Sequence, residues 1–132
     1  RKNGRGFYRY DRARPTRGKP VNEEVYAALR ADGTRRIEAA EIAERCVAVM
    51  ANEAVYALQE GIVACPRDGD VAAVLGLGFP AVRGGPFRHL DDRGIAGTVE
   101  VMTRLSELGG ARFVPAPLLG SMARDGAKFY AR

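Results

Sequence analysis

Apolar residues recur at steps of three and four through most of this chain, the spacing of one helical face. The first run opens after residue 21. Asn22 is a good N-cap, Glu23 and Glu24 suit the positive end of the helix dipole, and Asp32-Gly33 stops the run. A long helix is expected from about Glu38 to Glu60. It carries Ile42, Cys46, Val49, Met50, Ala54 and Leu58 on one wide apolar face, with Gly61 as its C-terminal cap. Pro66 suits the first turn of a third helix, with Asp68 and Asp70 early in it and Val71, Val74 and Leu75 facing inward. Pro86 can open a short helix that ends at Gly94. Another runs from about Ile95 to Leu108, with Ile95, Val99, Met102 and Leu105 on one stripe. A last one opens at Pro117 and buries Leu118, Leu119 and Met122 before Gly126. No stretch alternates as a strand would. The pattern predicts an all-α bundle packed on one core.

Two segments depart from this rhythm. Residues 11–21, DRARPTRGKPV, combine two prolines, a glycine and basic groups, and read as a linker. Residues 76–85, GLGFPAVRGG, form a glycine-rich apolar connection. There is also an internal echo. Lys2-Asn3-Gly4-Arg5-Gly6-Phe7-Tyr8 and Arg124-Asp125-Gly126-Ala127-Lys128-Phe129-Tyr130 share one phrase: basic, turn-former, Gly, two variable residues, Phe, Tyr. If both close the same unit, the chain begins at the tail of one repeat and contains the next one.

Composition adds a boundary to this picture. Residues 1–20 hold eight basic side chains against Asp11, a net charge of +7; the rest holds thirteen basic and fifteen acidic groups, a net charge of −2. The positive charge therefore belongs to an extended N-terminal arm, which could attract phosphate or nucleic acid or serve as a solvated linker. The domain division expected is residues 1–21, arm and linker, and 22–132, helical domain. Two cysteines make no disulfide framework, no apolar run reaches membrane-span length, and no apolar stretch follows the basic start as a leader would need. With Arg1 in place of an initiator Met, a piece of a larger cytoplasmic protein is expected.

No complete active site emerges. Gly76-Leu-Gly78 begins like a dinucleotide loop but lacks a preceding strand and the third glycine, with Ala81-Val82 where the fingerprint closes. His89, the one histidine, has Asp92 three residues on; without a nucleophile or multi-histidine set it reads as a surface or interface residue. Cys46 reads as core packing, and Cys65 precedes Pro66 where a Ser or Thr cap would be favoured. No catalytic, cofactor-binding or metal-binding residue is assigned. Arg5-Gly6-Phe7-Tyr8-Arg9-Tyr10 has the look of an RNA-recognition strand, but the flanking elements are missing. Phe7 and Tyr8 are instead expected to anchor the arm by burial, leaving Arg12, Arg14 and Arg17 exposed. The apolar loop, through Gly78, Phe79, Pro80, Gly84, Gly85, Pro86 and Phe87, is expected to be an interface, because solvated loops carry more polar groups.

Three phrases together resemble a known family: RKNGRGFY at 1–8, ANEAVYALQEGI at 51–62, and LGLGFPAVRGGPFR at 75–88 followed by Leu90-Asp91. In this order and spacing they are similar to the C-terminal part of 3-hydroxyacyl-CoA dehydrogenases, in particular the multifunctional fatty-acid β-oxidation enzymes. APLLGSMARDGAKFY at 116–130 is similar to their closing segment. The resemblance implies an all-α dehydrogenase C-terminal repeat, preceded by the tail of a first helical repeat. It implies NAD in the parent enzyme and no cofactor in this chain. It also implies a role in domain assembly and support of the acyl-CoA cleft rather than hydride transfer, since the family's His–Glu pair lies in the NAD-binding domain. The position matching the substrate-side Asn of the first repeat is Glu44, and Asn52 lies too far along the helix to replace it. Partners implied are the first helical repeat, the NAD-binding domain and a thiolase subunit, with a homo-oligomer open to the chain alone. The reading from residues alone keeps a phosphate or nucleic-acid binding module as the alternative, although nucleic acid is not favoured.

Overall fold

The computed structural model describes residues 6–10, 19–31 and 36–130. The chain divides into two compact units, Arg1–Glu38 and Ala39–Arg132. The sequence boundary at 21/22 falls inside the first of these.

Among the described residues of the first unit, the one regular helix is α1, Glu24–Ala28. Tyr8 and Val21 form an isolated antiparallel bridge, closed by Arg9 N–H to the Pro20 carbonyl at 2.9 Å and Asn22 N–H to the Phe7 carbonyl at 3.0 Å. Asn22 does not cap α1, as expected from its type. It is buried, and its Nδ2 donates to the Gly6 carbonyl at 3.0 Å, clamping the arm to the helix start. Asp32-Gly33, read as the stop, and Arg12, Arg14 and Arg17 lie outside the described residues.

The second unit is the helical body: α2 Ala39–Gln59, α3 Pro66–Leu77, α4 Pro86–Arg93, α5 Ile95–Gly109 and α6 Pro117–Asp125. Single 3₁₀ turns at Ala81–Arg83 and Ala111–Phe113 join them. Proline stands at the first turn of α3, α4 and α6, where a missing N–H costs no intrahelical bond. The fold is all-α; no strand occurs among the described residues. α4 packs on both α2 and α3, and α5 packs on α6. The core is built from Val55, Phe87, Leu90, Met102, Leu105 and Leu119 with small residues between them.

Of the stripes expected on α5 and α6, Ile95, Met102, Leu105, Leu119 and Met122 are buried, while Val99 and Leu118 are half-buried at the core's margin. The stripe expected on α2 is not the buried one. Ala48, Ala51, Asn52 and Val55 face the core, whereas Ile42 and Cys46 are exposed and Val49, Ala54 and Leu58 reach only its margin. At about 100° per residue, the buried set and the Val49–Met50–Ala54 stripe lie on opposite sides of the helix. α3 shows the same inversion. Gly69, Asp70 and Ala73 are buried, while Val71 is half-exposed and Leu75 almost wholly exposed. Gly69 is needed there because a Cβ would come 2.5 Å from the Phe87 ring. Helices that approach this closely bury their small residues and leave their large ones outside.

Candidate functional site

The glycine–proline connection does not form the continuous exposed surface expected of Gly78, Phe79, Pro80, Gly84, Gly85, Pro86 and Phe87. Phe79, Pro86 and Phe87 are fully buried in their own unit, and Gly85 is buried with them. Only Gly78, Pro80 and Gly84 of that set face outward. The loop's lack of polar groups, which suggests an interface, reflects internal packing: Phe87 fills the space against Gly69 of α3, and Phe79 packs on His89 of α4.

The exposed apolar surface lies next to it. Leu75 (81% exposed), Leu77 (75%) and Val82 (93%) stand out from the end of α3 and the turn beyond. Beside them runs a groove of about 510 Å³ between α2 and α3. One wall is Val49, Met50, Ala54 and Ala57 of α2; the other is Ala72, Gly76 and Leu77 of α3. Glu53 is the one charged side chain on its lining. Three residues of the stripe expected in the core, Val49, Met50 and Ala54, thus line an open groove.

A second construction holds the end of the chain. Asp70 is buried and its carboxylate accepts from Phe87 N–H at 2.7 Å and Arg88 N–H at 3.3 Å, both in the first turn of α4. A carboxylate there satisfies donors that have no intrahelical partner and meets the positive end of the dipole. Gly85 makes this approach possible: its φ is +113°, and a Cβ would come within 2.3 Å of Asp70 Oδ1. The Tyr130 hydroxyl donates to the same carboxylate at 2.6 Å. Asp91 accepts from both Phe129 N–H and Tyr130 N–H at 2.9 Å. The Arg88 guanidinium lies 3.9 Å from the centre of the Tyr130 ring, and Phe129 meets Phe87 edge-on at 4.9 Å. Burial, then the bond to the anionic Asp70, pushes the Tyr130 phenol up to about 12. We call this arrangement the Phe-Tyr clasp. Asp91 and Tyr130 both fall within phrases that resemble the family, whereas Asp70 carries no sequence signal beyond a helix start.

His89 is buried rather than at the surface, with its ring tilted against Phe79 at 6.1 Å. Burial, followed by the charges of Arg83 and Arg93, pulls its pKa below the ordinary 6.5, and Asp92 opposes this. It serves as a neutral packing group. Asn52 is buried and bridges two backbone groups: its Nδ2 donates to the Val114 carbonyl at 2.8 Å, and its Oδ1 accepts from Ala116 N–H at 2.9 Å. It holds the entry to α6, the residue before whose first turn is Ala116. Glu44 is ion-paired with Arg93 and with Arg104 at 3.4 Å. Cys46, expected in the core, is exposed, and Cys65 is the N-cap of α3 without a side-chain bond.

The Gly76–Gly78 segment does not fit a dinucleotide. It is the C-terminal end of α3, where Gly78 takes φ +73° and Phe79 N–H turns back to the Ala73 carbonyl at 3.0 Å. The helix end presents carbonyl groups and the negative end of the dipole, which repel a pyrophosphate. Among the described residues, no three His, Cys, Asp or Glu side chains gather as metal ligands, and no helix is long and apolar enough to cross a membrane.

The arm is not held as expected. Phe7 is 69% and Tyr8 44% exposed, and the bridge to Val21 is made by backbone, with Arg9 reaching Glu24 at 3.4 Å at the surface. Exposed Phe7, Tyr8, Val21, Tyr26 and Leu29 line a shallow groove of about 230 Å³ within this unit.

Comparison with known proteins places these features in one context. The model of the 3-hydroxyacyl-CoA dehydrogenase C-terminal domain matches residues 42–129. The chain is 51% identical over 130 residues to the fatty acid oxidation complex subunit alpha of Shewanella amazonensis, and 47% identical to that of Shewanella loihica. It is 44% identical to that of Idiomarina loihiensis. Each alignment covers 98% of this chain and 18% of the relative, so the chain spans less than a fifth of the proteins it matches. The helical body, from early α2 to the Phe-Tyr clasp, is a C-terminal domain of the 3-hydroxyacyl-CoA dehydrogenase family, and the chain belongs to that family.

Proposed function

We propose that this chain is the assembly domain of a multifunctional fatty-acid β-oxidation enzyme. It packs against another helical part of the same polypeptide and supports the acyl-CoA cleft without itself transferring hydride. The observation that carries this reading is the open apolar groove between α2 and α3, lined by Val49, Met50, Ala54, Gly76 and Leu77, together with the exposed Leu75 and Val82 on α3 and the following turn. A contiguous apolar patch of this kind marks a contact site, since exposed apolar groups gain by leaving water. The nearly full coverage of this chain by alpha subunits several times its length supports a partner within the same polypeptide.

On this reading, residues 1–21 are the tail of a preceding helical repeat and residues 22–132 the helical C-terminal repeat. NAD binds in a separate domain of the parent, a thiolase subunit is a further partner, and the parent works in the cytoplasm. The chain alone would use the same groove to self-associate.

The test is the double substitution Leu75→Asp and Leu77→Asp. In the isolated chain, the melting temperature should stay near wild type while any self-association is lost. In the full-length polypeptide, the same change should lower 3-hydroxyacyl-CoA dehydrogenase activity and thermal stability. A full-length double variant with unchanged activity and stability would remove the assembly role from this surface.

A further inference from the structure

The echo noted in the sequence has a structural answer at one end only. At the C-terminal end, the Phe-Tyr pair is held by a receiver of stated chemistry. One carboxylate, Asp91, takes both N–H groups; a second, Asp70, takes the phenol; a guanidinium, Arg88, stacks on the ring; and an aromatic edge, Phe87, meets the Phe. The receiver residues sit on the α3–α4 pair that precedes the tail in the chain.

At the N-terminal end, the same pair has no such receiver among the described residues. Phe7 and Tyr8 are exposed, and the bridge to Val21 uses the Phe7 carbonyl and the Arg9 N–H. It does not use the N–H groups of Phe7 and Tyr8, the two groups that Asp91 takes at the other end. A Phe-Tyr pair surrounded by further exposed apolar side chains, Val21, Tyr26 and Leu29, is an unmet contact surface.

We infer that Phe7 and Tyr8 are the docking element of a second clasp, whose receiver is a helix pair upstream of Arg1 carrying two carboxylates and a cation in the arrangement of Asp70, Asp91 and Arg88. The inference rests on the proposed reading that another helical segment precedes this one. The receiver lies upstream because, at the end where both parts are seen, the tail folds back onto helices that come before it. The aligned relatives supply the length: this chain accounts for only 18% of theirs. The chemistry also selects the occupant. Paired backbone N–H donors and a phenol call for carboxylates, which bind such donors more strongly than neutral acceptors do, and an exposed tyrosine face accepts a guanidinium.

The test uses the full-length polypeptide with a benzophenone photo-cross-linking residue at position 8, and separately at position 75. The expected result is a cross-link from position 8 to a peptide upstream of Arg1 that contains an Asp or Glu, and backbone hydrogen exchange at Phe7 and Tyr8 about 10- to 100-fold slower than in the 132-residue chain alone. Cross-links from position 8 that fall within residues 39–130, on another subunit, or nowhere overturn the inference. The same holds for equal exchange rates in the two proteins. Position 75 separates the two ideas. If it cross-links to the rest of the polypeptide while position 8 does not, the assembly reading stands and the second clasp fails; if position 8 cross-links upstream and position 75 to nothing, the reverse holds.

Discussion

The two sides of α2 are both apolar, yet they do different work. The side toward the core carries Ala48, Ala51 and Val55 with the polar Asn52 among them; the side toward the groove carries Val49, Met50 and Ala54. The largest of these side chains, Met50, is on the groove side. Hydrophobicity alone does not decide which side is inside: α4, α5 and α6 pack on α2 and cover Ala48, Ala51, Asn52 and Val55. α3 repeats the lesson, with Gly69 and Ala73 inside and Leu75 and Leu77 outside.

The sharpest way to break this comparison is at Asn52. Asn52→Leu keeps the volume close but leaves the buried Ala116 N–H and the Val114 carbonyl without their partner. The orphaned Ala116 N–H should cost about 1–3 kcal/mol and the more exposed Val114 carbonyl less. Urea unfolding of the isolated chain measures the sum, and a loss below about 1 kcal/mol would mean that water or relaxation replaces the side chain. Next in size is Ala51→Leu, which forces bulk into the closed side of α2, where Ala51 is almost wholly buried. A loss of about 1–3 kcal/mol is expected from overpacking. The matched control, Met50→Gln on the groove side, should stay within about 0.5 kcal/mol. If the two substitutions destabilise equally, the two sides are not distinct.

Two titrations sharpen the picture around the clasp and the buried ring beside it. His89 is held below the ordinary 6.5, so the unfolded chain binds its proton at a pH where the folded chain does not. Stability is therefore full above pH 6.5 and falls as the pH drops below it. The melting temperature of the wild type should decline there more steeply than that of His89→Gln. Tyr130 behaves in the opposite sense. Its folded value of about 12 lies above the ordinary 10, so the folded chain keeps a proton that the unfolded chain releases. The clasp's contribution is whole below pH 10 and is lost between pH 10 and 12. Tyr130→Phe should lower stability at neutral pH and flatten that alkaline decline. This is the smallest effect expected, because Tyr130 is only partly buried.

Much of the fold was legible because its signals are local. Pro66, Pro86 and Pro117 open α3, α4 and α6, and of the expected stripes Ile95, Met102, Leu105, Leu119 and Met122 are buried, with Val99 and Leu118 half-buried beside them. A proline at a first helical turn and a period of 3.6 need no knowledge of distant residues. The resemblance carried by the 51–62 and 75–88 phrases led to the family through residues whose spacing is itself local.

The tertiary structure decided what periodicity cannot. Whether Phe79 and Phe87 face out or in depends on the gap between α3 and α4, which Gly69 and Gly85 open by lacking a Cβ. Periodicity marks which residues share a face, but on α2, apolar on two faces, it cannot say which one the neighbours cover. Asp70 read only as a dipole-favoured carboxylate near a helix start. Its role came from a Gly85 turn 15 residues on and a tyrosine 60 residues on, brought to one carboxylate by the packing of α4. Sequence by itself determined the five helices of the body, close to their ends, and the family, but not the short extent of α1; the direction in which each apolar face looks, and the partners of its buried polar groups, exist only once the helices are packed, because both depend on contacts between residues far apart in the chain.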